Sequence, residues 1–244
     1  MNAYILVAGL ALLIVFISYF FQFHVILDLP LSKDQAVWGQ LGDFIGGILN
    51  PIFGFFSIIL LISSLKLQNE SNRKLIEQIE ENKRNEKLKS FENLFFNLID
   101  VKRSYFDQFS IVFYTENEPK IFKNHIAVDK LEKVISHLKQ SGQSQDQLVS
   151  FLEDINDKNN LFSQVRCFYV IVKLIDEQLS EKNGFKNENR QEYYKLLISF
   201  TEFSHLRLII MSMQFLNFES MRYLNNNDEF KKVLEELNMT LNPY

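Results

Sequence analysis

The stretch Asp43-Phe44-Ile45-Gly46-Gly47-Ile48-Leu49-Asn50-Pro51-Ile52-Phe53-Gly54-Phe55-Phe56-Ser57-Ile58-Ile59-Leu60-Leu61-Ile62-Ser63-Ser64-Leu65-Lys66 decides how this chain is read. From Phe44 to Leu65 it carries no charge, and it is bounded by Asp43 on one side and Lys66 on the other. That matches the ~20 apolar residues an α-helix needs to cross ~30 Å of hydrocarbon. A second uncharged run precedes it, because no charged side chain occurs from Met1 to Leu27 and the part from Tyr4 to Phe23 is almost wholly apolar. A cleavable signal peptide would want a basic start, a shorter core and small residues before a cut site. Met1-Asn2-Ala3-Tyr4 and Phe20-Phe21-Gln22-Phe23 offer none of these, so the run is expected to be an uncleaved anchor.

Two spans, about 4–26 and 44–65, joined by a loop over 28–43, make a hairpin. Basic residues set its sense: the loop holds only Lys33, whereas Lys66, Arg73, Lys74, Lys83 and Arg84 follow the second span. The expected arrangement places the loop outside, with the N-terminus and everything after Lys66 in the cytoplasm. Leu206 to Phe218 is also apolar, but it is too short for a third span and contains Arg207 and Gln214.

Five of the eight glycines lie between residues 39 and 54. Gly42 and Gly46 form a small-xxx-small pair, and Gly47, Asn50 and Gly54 recur at three and four residues, a smooth face that another helix backbone can approach. Pro51 cannot donate to the carbonyl of Gly47, so a kink or a locally satisfied defect is expected. Two readings stand. The face packs the second span on the first, where Ala8, Gly9, Ala11 and Ser18 are small complements, or copies of the second span associate through it with Asn50 as interhelical glue. Asp43 likewise reads as a helix N-cap or as a functional carboxylate at the hairpin mouth.

From Lys66 onward the chain carries 25 basic and 27 acidic residues, a near balance that gives no long-range pull toward nucleic acid. Cys167 is the lone cysteine, which excludes an internal disulfide, a thiolate metal cluster and a CxxC pair. Gln68 to about Phe109 lacks Gly and Pro and should continue the second span as a helix. Over 68–90 it has the composition of a charged, solvated stalk; from Phe91 to Phe106 apolar residues at three- and four-residue intervals take it into a core. The domain 91–244 is expected to be a helical bundle, giving an all-α fold. Its helices are predicted over Ile121–Gln140, from Gln145 to about Asp157, from Leu161 to about Ser180, over one long apolar segment from Glu188 to about Phe218, and over Glu229–Leu237. Breaks are expected at Tyr114–Lys120, Ser141-Gly142 and Asn183-Gly184.

No phosphate loop, dinucleotide fingerprint or nucleophile elbow is present, and His24, His125, His137 and His205 form no helical metal pair. No cofactor, metal site or enzymatic activity is expected. The one polar constellation is Glu202, His205 and Arg207, where Glu202 and His205 share a helical face and read either as groups paired for solvation or as orienter and base.

Two segments together resemble the membrane-anchored phage abortive infection proteins, AbiC-like. One is Trp38 to Gln68, with Gly-Asp-Phe-Ile-Gly-Gly-Ile-Leu-Asn-Pro at 42–51 and Leu-Lys-Leu-Gln at 65–68. The other is Phe91-Glu92-Asn93-Leu94-Phe95-Phe96-Asn97-Leu98-Ile99, similar to that family's Phe-rich box after its second span. The likeness extends over about residues 35–110; Tyr193, Tyr194, Phe200-Thr201 and Glu202 correspond loosely to its C-terminal pattern. It implies a bacterial antiphage effector in the inner membrane that stops the infected cell. The small-residue face and the continuous helix that joins the two parts add the expectation of a homo-oligomer in the bilayer, with a phage or host protein as trigger. The resemblance implies no established chemistry.

Overall fold

The structure is a computed structural model and describes residues 2–28, 30, 32–114, 118–159, 161–240 and 243. The chain divides into two compact units, Met1–Ile79 and Glu80–Tyr244. Helices dominate both, as the all-α reading expects.

In the first unit, α1 (Asn2–Phe20) runs on as a π-helical segment to Ile26, and α2 spans Gln35–Gln108. Two helices are thus long and apolar enough to cross a membrane, and the apolar window of the first has no buried residue while that of the second has 6%. Leu49 is the buried exception on α2, and Tyr19 of α1 lies 5.6 Å from the ring of Phe44.

The second helix starts earlier than the charge pattern suggests. The Asp34 carboxylate accepts from the Ala36 amide at 3.0 Å, the Ser32 hydroxyl accepts from the Asp34 amide at 3.1 Å, and Trp38 Nε1 donates to the Ser32 carbonyl at 2.9 Å. Asp34 is therefore the cap that satisfies the first free amides. Asp43 lies inside α2, which corrects its reading as N-cap and turns 35–43 of the expected loop into helix. Pro51 also lies within α2, which continues through it.

In the second unit, the C-terminal part of α2 leads into a small antiparallel hairpin, β1 (Ser110–Tyr114) and β2 (Pro119–Lys123), in register Ile111↔Phe122 and Val112↔Ile121. Here the helix expected from Ile121 is corrected: β-branched and aromatic residues on both arms favour a pleated pair, and Pro119 sits at a strand start, where its missing N–H is tolerated. Residues 115–117 of the expected loop lie outside those described. The hairpin is anchored by the fully buried Ile111 and by Phe113 against Phe122 at 5.9 Å.

Helices α3 (Asn124–Gln140), α4 (Gln145–Asn159) and α5 (Leu161–Gln178) follow. The break between α3 and α4 falls at Ser141-Gly142, where Gly142 takes φ +77° and its amide reaches the Lys139 carbonyl at 3.1 Å; a left-handed residue there favours glycine. Gly184, at φ +85°, closes a short turn after α5 in the same way.

The long helix expected over 188–218 is two helices, α6 (Asn187–Ser199) and α7 (Phe203–Phe215), bent by 114°. The side chains of Ser199 and Thr201 turn back onto the carbonyls of Lys195 and Leu197, competing with the backbone ladder at that point. Two short helices complete the unit, α8 (Glu219–Asn226) and α9 (Asp228–Glu236), the first of which has no counterpart in the expected elements. The core joins Phe91, Phe95 and Phe106 of α2 to Leu131, Phe168, Tyr194, Leu208 and Phe230 of the following helices. Of the apolar residues expected to enter the core from Phe91 onward, Phe91, Phe95, Ile99 and Phe106 are buried and Leu98 partly so, whereas Leu94 and Tyr105 are exposed.

Candidate functional site

In the first unit the site is the glycine face. A Cβ added at Gly42, Gly47 or Gly54 would meet nothing within 4 Å beyond the helix itself, and one at Gly46 would meet only Asn50 Nδ2 at 3.7 Å. Gly42, Asp43, Gly47, Asn50, Pro51 and Gly54 are exposed, whereas Leu41, Ile45, Leu49, Ile52 and Phe53 are partly or fully buried. Gly46 is half-buried beside Ile45, so only Gly42, Gly47 and Gly54 of the glycine face look away from the partly buried side of α2. Both readings of the face stand, with Gly46 on the partly buried side and Gly42, Gly47 and Gly54 on the exposed one.

In the second unit the site forms where α6 breaks. Lys102, on the buried face of α2, is 1% exposed, and its Nζ donates to Thr201 Oγ1 at 2.6 Å and to the Phe200 carbonyl at 3.2 Å. The ammonium takes over a carbonyl that the end of α6 leaves without an intrahelical donor, which is a physical cause for the sharp bend. Burial pushes the Lys102 pKa down to about 8, against the pull of Cys167 and Glu202 toward the charged form. Among the described residues no carboxylate lies within 4.0 Å of it.

His205 follows on the first turn of α7. It is 2% exposed, and its ring lies flat on Phe106 with centroids 4.5 Å apart and planes 6° apart. Burial and the nearby Lys102 charge press its pKa to about 3, opposed by a backbone hydrogen bond with Gln164. Its Nε2 is buried with no hydrogen-bond partner among the described residues. An imidazole held neutral so firmly is a weak base, so this geometry gives little support to a base role near neutral pH.

Lys102, Arg103, Phe106, Thr201, Glu202 and His205 are among the residues lining one cavity of about 280 Å³. Arg207 belongs elsewhere. Its guanidinium crosses to α3, with Nη2 2.7 Å from Asp129 Oδ1 and Nη1 2.5 Å from Glu132 Oε2, and it stacks over Phe203 at 5.3 Å. The expected trio therefore divides, Glu202 and His205 at the Lys102 cavity and Arg207 in an interhelical clasp. Cys167 is half-buried; burial pushes its thiol pKa up, and the Lys102 charge opposes the shift.

No protein-family model, curated protein or solved structure matches the chain.

A second polar cluster centres on Asp176 of α5. It accepts from the hydroxyls of Tyr194 and Tyr223, the latter at 2.6 Å, and from Asn227 Nδ2 at 2.8 Å. Burial raises its pKa while the two tyrosine bonds pull the other way. With donors from α6, α8 and the cap of α9 converging on it, the carboxylate ties the C-terminal helices together, one donor on Oδ1 and two on Oδ2. Neither Lys102 nor Asp176 was singled out from the sequence. Lys102 could have been, because it continues the spacing Phe95, Ile99, Phe106 and so marks a charge on a core face.

Proposed function

We propose that this chain is an antiphage effector of the bacterial inner membrane, anchored by α1 and the apolar part of α2, with both termini and the second unit in the cytoplasm. The observation that carries the anchoring is the exposed apolar surface of the first unit. Leu10, Leu13, Phe16 and Phe20 on α1, with Phe55, Ile58, Leu61 and Leu65 on α2, are all at least 51% exposed. A surface of that kind and extent calls for lipid. The single Lys33 between the spans, against five basic residues over 66–84, supports the orientation.

The effector reading rests on the resemblance carried by 42–51 and 91–99, together with the outward glycine face. In this proposal the second unit detects infection through a phage or host protein, and copies of α2 then associate through Gly42, Gly46, Gly47 and Gly54, with Asn50 bonding across the contact. Close packing of small residues and a polar side chain are the forces available between helices where lipid removes the hydrophobic drive. The assembly perturbs the bilayer and arrests the infected cell, without enzymatic chemistry.

The test is a plaque assay paired with a membrane-potential dye in cells carrying the gene alone. Depolarisation on induction, abolished by Gly47→Leu or Pro51→Leu, supports the effector. Protection with no change of potential, or toxicity untouched by both substitutions, contradicts it. Absence of any effect without a neighbouring gene would point instead to a passive anchor and binding module.

A further inference from the structure

We propose that the groove between the end of α1 and the start of α2 is a binding site for one phospholipid of the outer leaflet, with an acyl chain between the helices and a zwitterionic head group beside Lys33. The proposal rests on the membrane reading and adds to it a ligand that the bilayer itself supplies.

The walls of the groove argue for a hydrocarbon chain. Phe16, Phe20 and Phe23 line it from one side and Trp38 and Leu41 from the other, around a space of about 470 Å³, within the size range of small-molecule sites. Tyr19 reaches the ring of Phe44 at 5.6 Å, and the π-helical segment Phe21–Ile26 follows it. Such a segment is rare and recurs at functional sites. Phe16, Phe20 and Trp38 are also more than half exposed, so the groove opens on the same apolar surface that calls for lipid. A space of this kind left empty forfeits dispersion contacts on every wall, and a chain restores them. Two polar groups of the groove are turned on each other: Trp38 Nε1 donates to the Ser32 carbonyl at 2.9 Å, and the Ser32 hydroxyl accepts from the Asp34 amide at 3.1 Å. What the lining offers is mostly carbon surface.

The connection between the helices supplies the charges for a head group. Lys33 follows the lining residue Ser32 and is exposed, and Asp28 and Asp34 are exposed in the same connection. One cation with two anions suits a head group that carries both a phosphate and an ammonium. A head group with negative charge alone would meet two like charges. Trp38 fits this place, since an indole favours the boundary between hydrocarbon and head groups.

The experiment uses Trp38 as its own reporter, because it is the single tryptophan and it lines the groove. The full chain is reconstituted in vesicles of phosphatidylethanolamine and phosphatidylglycerol in equal amounts, with brominated acyl chains, which quench an indole they touch, on only one of the two lipids in each sample. Both samples then have the same head groups. The expected result is quenching about threefold stronger when phosphatidylethanolamine carries the bromine, the size of an exposed charge contact. Val37→Phe fills part of the groove and Lys33→Gln removes the cation. Each should bring the two samples close to equal while far-UV circular dichroism stays that of wild type. Ile58→Phe, on the exposed surface of α2 outside the lining, should keep the wild-type difference. Equal quenching in wild type, stronger quenching by brominated phosphatidylglycerol, no quenching by either, or a difference that survives both Val37→Phe and Lys33→Gln or is lost in Ile58→Phe would overturn the site. Alkaline carbonate extraction of the same samples separates the two claims: a resistant chain with equal quenching loses the groove and keeps the anchor, whereas an extracted chain loses both.

Discussion

His205 makes the stability of the second unit depend on acidity in a way that can be calculated. Its pKa falls from the ordinary 6.5 to about 3 in the folded chain. Above pH 6.5 both folded and unfolded chains hold a neutral imidazole and the residue contributes no pH dependence. Below pH 6.5 the unfolded chain takes up a proton that the folded chain refuses, so stability falls, and it continues to fall until pH reaches about 3. The slope is about 1.4 kcal/mol per pH unit, which makes the loss between pH 6.5 and pH 5 about 2 kcal/mol. For a unit of this size that is about 6 °C in midpoint. The perturbation is His205→Phe, which preserves an aromatic ring against Phe106 and removes the titrating group. Thermal unfolding of the full chain in detergent, followed by near-UV circular dichroism at several pH values, gives the two curves. Carboxylates titrate in both proteins and cancel in the difference. The midpoint of the variant should gain about 6 °C on the wild type between pH 6.5 and pH 5, whatever its offset at neutral pH. Parallel curves would refute the buried, neutral histidine.

Three further outcomes are expected. Asp176→Ala leaves the Tyr194 and Tyr223 hydroxyl protons without an acceptor and removes one of the Asn227 amide's two bonds, and should cost about 3 kcal/mol by chemical denaturation. Arg207→Ala releases Asp129 and Glu132, yet the clasp is partly open to water, its side chain 28% exposed; a loss of about 1 kcal/mol is expected by the same measurement. Gly47→Leu places a side chain where nothing lies within 4 Å, so thermal unfolding of the variant should match wild type while crosslinking of copies in membranes falls several-fold.

The coarse architecture was legible because long, uncharged apolar runs and period-3.6 spacing are strong signals. Phe44 to Leu65 and the series from Phe91 to Phe106 needed no tertiary knowledge, and Ser141-Gly142 and Asn183-Gly184 marked their breaks through glycine alone. What escaped depended on distant partners. The strands at 110–123 are short and only gain from pairing with each other and from burying Ile111, so a run beginning at Ile121 reads equally well as helix. The α6–α7 break has no Gly or Pro; Ser199 and Thr201 weaken the helix there, and Lys102, 98 residues away, receives the freed carbonyl. Asp34 was overlooked as cap because Asp43 stands closer to the apolar run, although hydrophobicity marks where lipid begins and not where the helix does. The candidate site split for a related reason. Glu202 and His205 share a turn and stay together, while Arg207 follows the acidic pair on α3.

The membrane hairpin is tested most directly by a dual topology reporter fused after Lys66 in bacterial cells, read beside alkaline carbonate extraction of the full chain. The account predicts a carbonate-resistant protein whose fusion is active only in the cytoplasmic mode. A full-length protein in the soluble fraction, or a fusion active only in the periplasmic mode, would contradict it.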